Sequence, residues 1–356
     1  MAELPTLSQR QLNRSLLARQ HLLEPADRQL PRLVEDIAGL QTQYAPSAYV
    51  GAWSRLRTFR RADLTGALER ATVIQATLMR STIHMVSRRD FWPIAIATRQ
   101  ARRRWWLKAV RHANDAKDIE GHADRVRATL ADGPRRRSEL VTELGLNSTT
   151  WNGLAQWLDM VRVPPSGTWD QRRADLYALA EDWVGPQPQD MSAEGGLDLL
   201  VRRYLTGFGP SSRKDVASFT GVPLQAIDAS LARLTIRRFR SEAGEELVDL
   251  QRRPLPDPGT PAPVRFLPTW DATLLVHARR TQILPEHYRP RVFHTKTRIR
   301  CARFWSTARS RAHGGSKAAR SRPRRSSHCH APSAARSTPK RAGSRRSWPR
   351  RGEGRA

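Results

Sequence analysis

The grouping in this chain most able to do chemistry is a pair of side-chain amides, Gln41 and Gln43, flanking Thr42. A primary amide both donates and accepts hydrogen bonds but is not a strong base. Such a pair can orient a water or a polar ligand, yet it cannot take a proton from an unactivated one. Apolar spacing predicts a helix over residues 30–44, and Pro46 takes the chain out of helical geometry just beyond it. Seen alone, the two glutamines read as a polar surface pair or a set of C-capping groups. His84 lies on an expected strand, where it is either a ligand contact or a packed histidine, and His277 follows an apolar run with the same two readings.

Several other chemistries are excluded. Cys301 and Cys329 have no CxxC partner, which argues against a disulfide framework or a zinc site. No Ser-His-Asp order and no metal-ligand spacing stands out. Gly207-Phe208-Gly209 lacks the parallel-strand context of a nucleotide loop. No metal and no cofactor is expected. There is no run of about 20 apolar residues and no secretory pattern at the N-terminus, so the expectation is a cytoplasmic, nucleoid-associated protein with no membrane partner.

The elements that must position these residues announce themselves through a repeat. Placing Gly133-Pro134 on Gly209-Pro210 sets an ungapped offset of 76 residues. Leu140 then falls on Val216, Gly145 on Gly221, Leu146 on Val222, Trp151 on Ile227 and Leu158 on Leu234. Each copy reads helix, glycine turn, second helix, strand pair, which is the order of a helix-turn-helix with a wing. In the later copy Ser212 caps one helix and Pro223 opens the next, with the Gly244 hairpin following. A less regular first copy has helices expected at 8–23, 30–44 and 62–71, strands at 74–79 and 82–86, and a connecting helix over 91–111. The fold class is α+β, mainly α: three tandem winged-helix units with a small, truncated β-rich subdomain at the C-terminal end. The expected divisions are 1–112, 113–190, 191–255, 256–296 and a tail over 297–356.

Repeated winged helices on a basic chain point to double-stranded DNA as the partner, bound by a monomer. The net charge of +29 is unevenly spread. After Lys296 come 18 Lys and Arg against one acid, Glu353, leaving a body of 44 basic and 32 acidic residues, net +12. That excess still favours a polyanion through counterion release. Arg80, Arg102, Arg103, Arg104, Arg237 and Arg238 are the candidates for phosphate contacts. Trp105 and Trp106 read as core residues rather than base-stacking platforms. The tail is rich in Arg, Ala, Ser, Pro and Gly, the residues that GC-rich codons yield out of register. Read one base earlier, permitted codons for its start give an alternating, strand-like segment. The tail is therefore expected to be frame-shifted and disordered; the alternative is a basic arm that grips phosphates.

Several motifs together resemble the bacterial tandem winged-helix DNA glycosylases that repair alkylated bases and interstrand crosslinks. They are Leu40-Gln41-Thr42-Gln43, Pro46-Ser47-Ala48-Tyr49, Trp53-Ser54-Arg55-Leu56, the segment from Leu78 to Val86, Pro165-Ser166-Gly167-Thr168-Trp169, the segment from Tyr204 to Pro210, and Phe266-Leu267-Pro268-Thr269-Trp270-Asp271. The motifs run from Leu40 to Asp271, and the resemblance covers the body, about residues 8–296, and stops where the tail begins. The resemblance implies three winged helices around a DNA channel, with Gln41 and Gln43 as the catalytic amides. Arg80, His84, Arg102, Arg103, Arg237, Arg238 and His277 would be the DNA contacts. An amide pair suits only a labile bond, so the implied reaction is hydrolysis of the N-glycosidic bond of alkylated or crosslinked purines, with amide oxygens steadying the sugar cation. The alternative is a winged-helix DNA binder or transcriptional regulator without catalysis. Two positions depart from the family pattern: Thr42, where an apolar residue is expected, and Ser81, where glycine is usual.

Overall fold

Helix starts are written into the sequence at Ser8, Ser87, Asn147, Ser192 and Ser212. Each side chain accepts the backbone N–H three residues on, satisfying a donor that the first helical turn leaves unpaired. The computed structural model describes residues 3–110, 118–275, 283–288 and 304–306. His277 and the tail after residue 296, apart from 304–306, lie outside the described residues.

The first unit runs β1 (Thr6–Leu7), α1 (Gln9–Arg19), α2 (Leu30–Asp36), β2 (Leu40–Gln41), α3 (Pro46–Trp53), α4 (Arg61–Glu69), β3 (Val73–Thr77), β4 (Ile83–Ser87) and the long α5 (Arg88–Ala109). The second comprises α6 (Ile119–Leu130), β5 (Arg135–Arg136), α7 (Arg137–Glu143), α8 (Ser148–Trp157), β6 (Met160–Arg162), β7 (Leu176–Leu179) and α9 (Ala180–Trp183). The third holds α10 (Ala193–Phe208), α11 (Arg213–Thr220), α12 (Leu224–Arg233), β8 (Ile236–Ser241) and β9 (Glu246–Leu250). Beyond it come β10 (Val264–Phe266), α13 (Ala272–Leu275) and β11 (Phe304–Ser306), the last paired antiparallel with β10. Among the described residues no helix is long and apolar enough to cross a membrane.

The 76-residue offset carries through to geometry. It maps the start of α7 onto that of α11, α8 onto α12 and β6 onto β8. Gly145 and Gly221 share left-handed φ values of 62° and 74° between their helices. The paired apolar positions Leu140 and Val216, Leu146 and Val222, Trp151 and Ile227, and Leu158 and Leu234 are all buried. Equal spacing of apolar residues dictates equal packing.

The expected helix over 30–44 is the main correction. It ends at Asp36, because Ala38 and Gly39 turn into left-handed conformation at φ 59° and 84°. A Cβ on Gly39 would sit 3.0 Å from the Met85 carbonyl oxygen, so glycine is what lets β2 come up against β4. The glutamine motif consequently begins on an extended edge strand, Leu40–Gln41, with Thr42 and Gln43 just past its end. Pro46, in turn, opens α3 rather than ending a helix, as its preset φ and missing N–H suit a first turn.

The hairpin of the first unit and the wing of the second share one six-stranded sheet, ordered β2-β4-β3-β6-β7-β5, in which Ala76 faces Val161. A second sheet, β1-β8-β9, brings the N-terminal strand parallel to the wing of the third unit. Buried ion pairs lock these parts together. Arg19 of α1 meets Asp249 of β9 at 2.6 Å, and Arg55 meets Asp271 at 2.9 Å. Arg203 of α10 reaches both Glu35 and Asp90.

Candidate catalytic centre and nucleic-acid interface

The end of β2 places the glutamines. Thr42 points into the core, fully buried, while its N–H donates to the Ile83 carbonyl at 2.8 Å. Gln41, the last residue of β2, is half-buried, and Gln43, in the bend just beyond it, is exposed. The Gln43 Oε1 accepts the Ile83 N–H at 2.9 Å, and the Gln41 Oε1 accepts the Arg80 guanidinium at 3.2 Å. Both partners can only donate, so both amide oxygens are identified by their surroundings. Among the described residues each amide keeps its two N–H donors and one oxygen lone pair free for a ligand.

Arg80 sits in the tight turn between β3 and β4 with φ 53°, followed by Ser81 at φ 56°. Its guanidinium lies over the Phe219 ring, 5.0 Å from the centroid, and donates to the Phe219 carbonyl. Gly221 makes room for this turn, since a Cβ there would stand 3.1 Å from the Arg80 nitrogen. Burial pulls the Arg80 pKa down to about 10, so it stays charged at neutral pH. His84 is buried behind it, with Nδ1 3.1 Å from the Thr82 carbonyl. That carbonyl can only accept, so the proton resides on Nδ1, and Nε2 turns its lone pair to Arg80 at 3.4 Å. Burial first, then the neighbouring charge of Arg80, hold the imidazole neutral with a pKa of about 3.

Gln43 and Ser81 open onto a cleft of about 550 Å³. Its far walls are the end of α5, helix α8 and the wing of the second unit, with Arg137, Arg162, Trp151 and Tyr177 among the lining side chains. Arg137 stacks on Trp151 at 5.6 Å and Arg162 on Tyr177 at 5.1 Å. A cationic, aromatic cleft beside two uncharged amides fits a nucleic acid.

Residues 34–335 match the family model described as DNA glycosylase AlkZ-like. The chain belongs to the AlkZ-like DNA glycosylase family. A solved structure, Streptomyces sahachiroi DNA glycosylase AlkZ, superposes with a TM-score of 0.68 at 16% identity, over 80% of this chain and 82% of that one. At that identity the likeness is one of fold. A comparison with curated proteins gives no match. Membership makes this a DNA-binding protein of the repair-glycosylase type, with the expected winged-helix α+β fold. The family match also runs on to residue 335, past Lys296 where the sequence motifs stop.

Within the AlkZ-like fold the expected basic contacts divide. Arg80 comes to the glutamines. Arg102, 3% exposed, donates instead to the Ala155 and Ala95 carbonyls and reaches Asp159. Arg103 donates to the Gln156 and Trp157 carbonyls and covers the Trp157 ring. Both brace α5 against α8, because a long side chain on a packed helix finds the unpaired carbonyls of its neighbour before it finds solvent. Arg237 turns onto Asp249 and the Arg253 carbonyl, and exposed Arg238 pairs with Glu246. The two neighbouring tryptophans split: Trp106 is core, whereas Trp105 is 58% exposed on the cleft wall. Arg137, Arg162, Trp151 and Tyr177, which line the cleft, are not among the site residues expected from the sequence. The available signal was Arg162 itself, a charge inside the apolar run Met160-Val161-Arg162-Val163.

Proposed function

We propose that this AlkZ-like protein hydrolyses the N-glycosidic bond of alkylated or crosslinked purines in double-stranded DNA. The observation that carries the reading is the anchoring of both glutamine oxygens, with Gln43 lining a cationic, aromatic cleft and Gln41 two residues before it. A purine alkylated on a ring nitrogen already bears positive charge. When the bond from C1′ breaks, the electron pair neutralises the base, and no acid is needed to assist it. Water adds to C1′ and its proton passes to solvent. Amides suffice for the rest: one oxygen lone pair each to hold the water and two N–H donors each to grip the departing base or a flanking phosphate. The anchoring changes the emphasis from oxygens steadying the sugar to an oriented donor and acceptor pair.

Replacing Gln41 and Gln43 together by alanine should abolish release of 7-methylguanine from methylated DNA and leave duplex affinity in place. A wild-type protein that binds duplex yet releases no cationic base would favour a purely binding role.

A further inference from the structure

Arg162, at the end of β6, is 8% exposed, yet among the described residues no carboxylate lies within ion-pair distance of it. Among the described residues its hydrogen bonds go to a single neutral oxygen, the Thr77 hydroxyl, at 3.3 and 3.4 Å, and its Nε has no partner there. A guanidinium buried against one ring and one hydroxyl has lost its water without gaining a counter-charge, an arrangement that destabilises a protein standing alone. Arg137, half-buried at the start of α7, is likewise without an acidic partner among the described residues and rests on Trp151. Both open onto the cleft that Gln43 lines. Asp175 shares that cleft, but its oxygens are taken by Arg136, Arg173 and Ser166. Trp105 offers an exposed ring on the same wall.

We propose that this cleft is a subsite for one nucleotide of the DNA strand, its phosphate taken by Arg162 and Arg137 and its base laid against Trp105. Two guanidiniums with unused donors match the oxygens of a phosphate diester. An exposed tryptophan ring supplies a stacking face that accepts any base. The volume of about 550 Å³ is that of a small-ligand site. The missing counter-charge of Arg162 is then supplied by the ligand, and stability is traded for binding. The subsite rests on the DNA-binding part of the proposed function and not on excision.

The test uses the full chain, an unmodified duplex oligonucleotide over a salt series, and thermal melting with and without inorganic phosphate at constant ionic strength. Arg162→Met should keep or raise the melting temperature of the free protein, weaken duplex binding about tenfold, and reduce the salt slope by about one. It should also remove any rise in melting temperature that phosphate gives the wild type. A fall in melting temperature with duplex affinity and salt slope unchanged would make Arg162 structural and overturn the proposal. A phosphate-dependent rise with DNA affinity indifferent to the substitution would overturn it too, as a site for free phosphate only. Should Arg162→Met not fold, Arg137→Gln at the half-buried neighbour carries the same binding readouts. A wild type that releases no modified base leaves these readouts intact, so failure of excision and failure of the subsite are separable.

Discussion

Arg80 donates to the Gln41 side-chain oxygen at 3.2 Å while its other amino group reaches the Phe219 carbonyl on α11. One guanidinium therefore orients a catalytic candidate in the first unit and ties it to the third. Arg80→Met should free the Gln41 amide to rotate. A hydrogen bond to a charged group contributes about 1.5–3 kcal/mol, so single-turnover release of 7-methylguanine should slow roughly tenfold to a hundredfold. Duplex Kd should stay within about twofold, since Arg80 is spent on internal partners. Equal losses in rate and binding would instead make it a DNA contact.

The two departures from the family pattern each have a local cost. Ser81 is the second of two successive left-handed residues without being glycine. Thr42 is fully buried with a hydroxyl that has no hydrogen-bond partner among the described residues. Ser81→Gly should raise stability by about 0.5–1 kcal/mol by relieving the turn. Thr42→Val should raise it by about 1 kcal/mol by removing a buried unpaired hydroxyl of the same shape. Urea unfolding of the two variants checks both signs.

His84 sets an acid limit on stability. Its folded pKa of about 3 lies below the ordinary 6.5 because burial, then Arg80, disfavours the imidazolium. The unfolded chain takes a proton on this group below about pH 6.5, and the folded chain takes none until about pH 3. Stability is therefore complete above 6.5 and falls as pH drops through that window, by at most about 1.4 kcal/mol per unit. Between pH 7 and pH 5 the wild type should lose about 1–2 kcal/mol more than His84→Gln. Equal losses would show that His84 does not control this limb.

The pair of Arg55 with Asp271 is 1% exposed on both sides. Asp271 also accepts the Thr273 N–H and hydroxyl. Asp271→Asn leaves a buried guanidinium without its counter-charge, at a cost of about 3–5 kcal/mol in unfolding free energy. The variant should melt well below the wild type, and a near-neutral change would mean that water reaches Arg55.

What could be read from residue order is what depends on neighbours in the chain. The 76-residue repeat, the caps at Asn147 and Ser212, and the left-handed glycines at 145 and 221 follow from spacing and backbone sterics, which act locally. The glutamine pair stood out by type, but its secondary structure did not. The apolar positions before it suit a helix until Gly39 meets the Met85 carbonyl, 46 residues further on. Nothing local marks Arg102, first of three successive arginines, as an internal brace; Arg162 stands out as a charge in an apolar run, but its lack of a counter-charge is not legible there. Sequence alone determined the winged-helix units, their basic character and the two amides. Only the tertiary structure decided which side of each amide is anchored and which arginine lacks a counter-charge, because those properties belong to contacts between residues 39 to 85 positions apart in the chain.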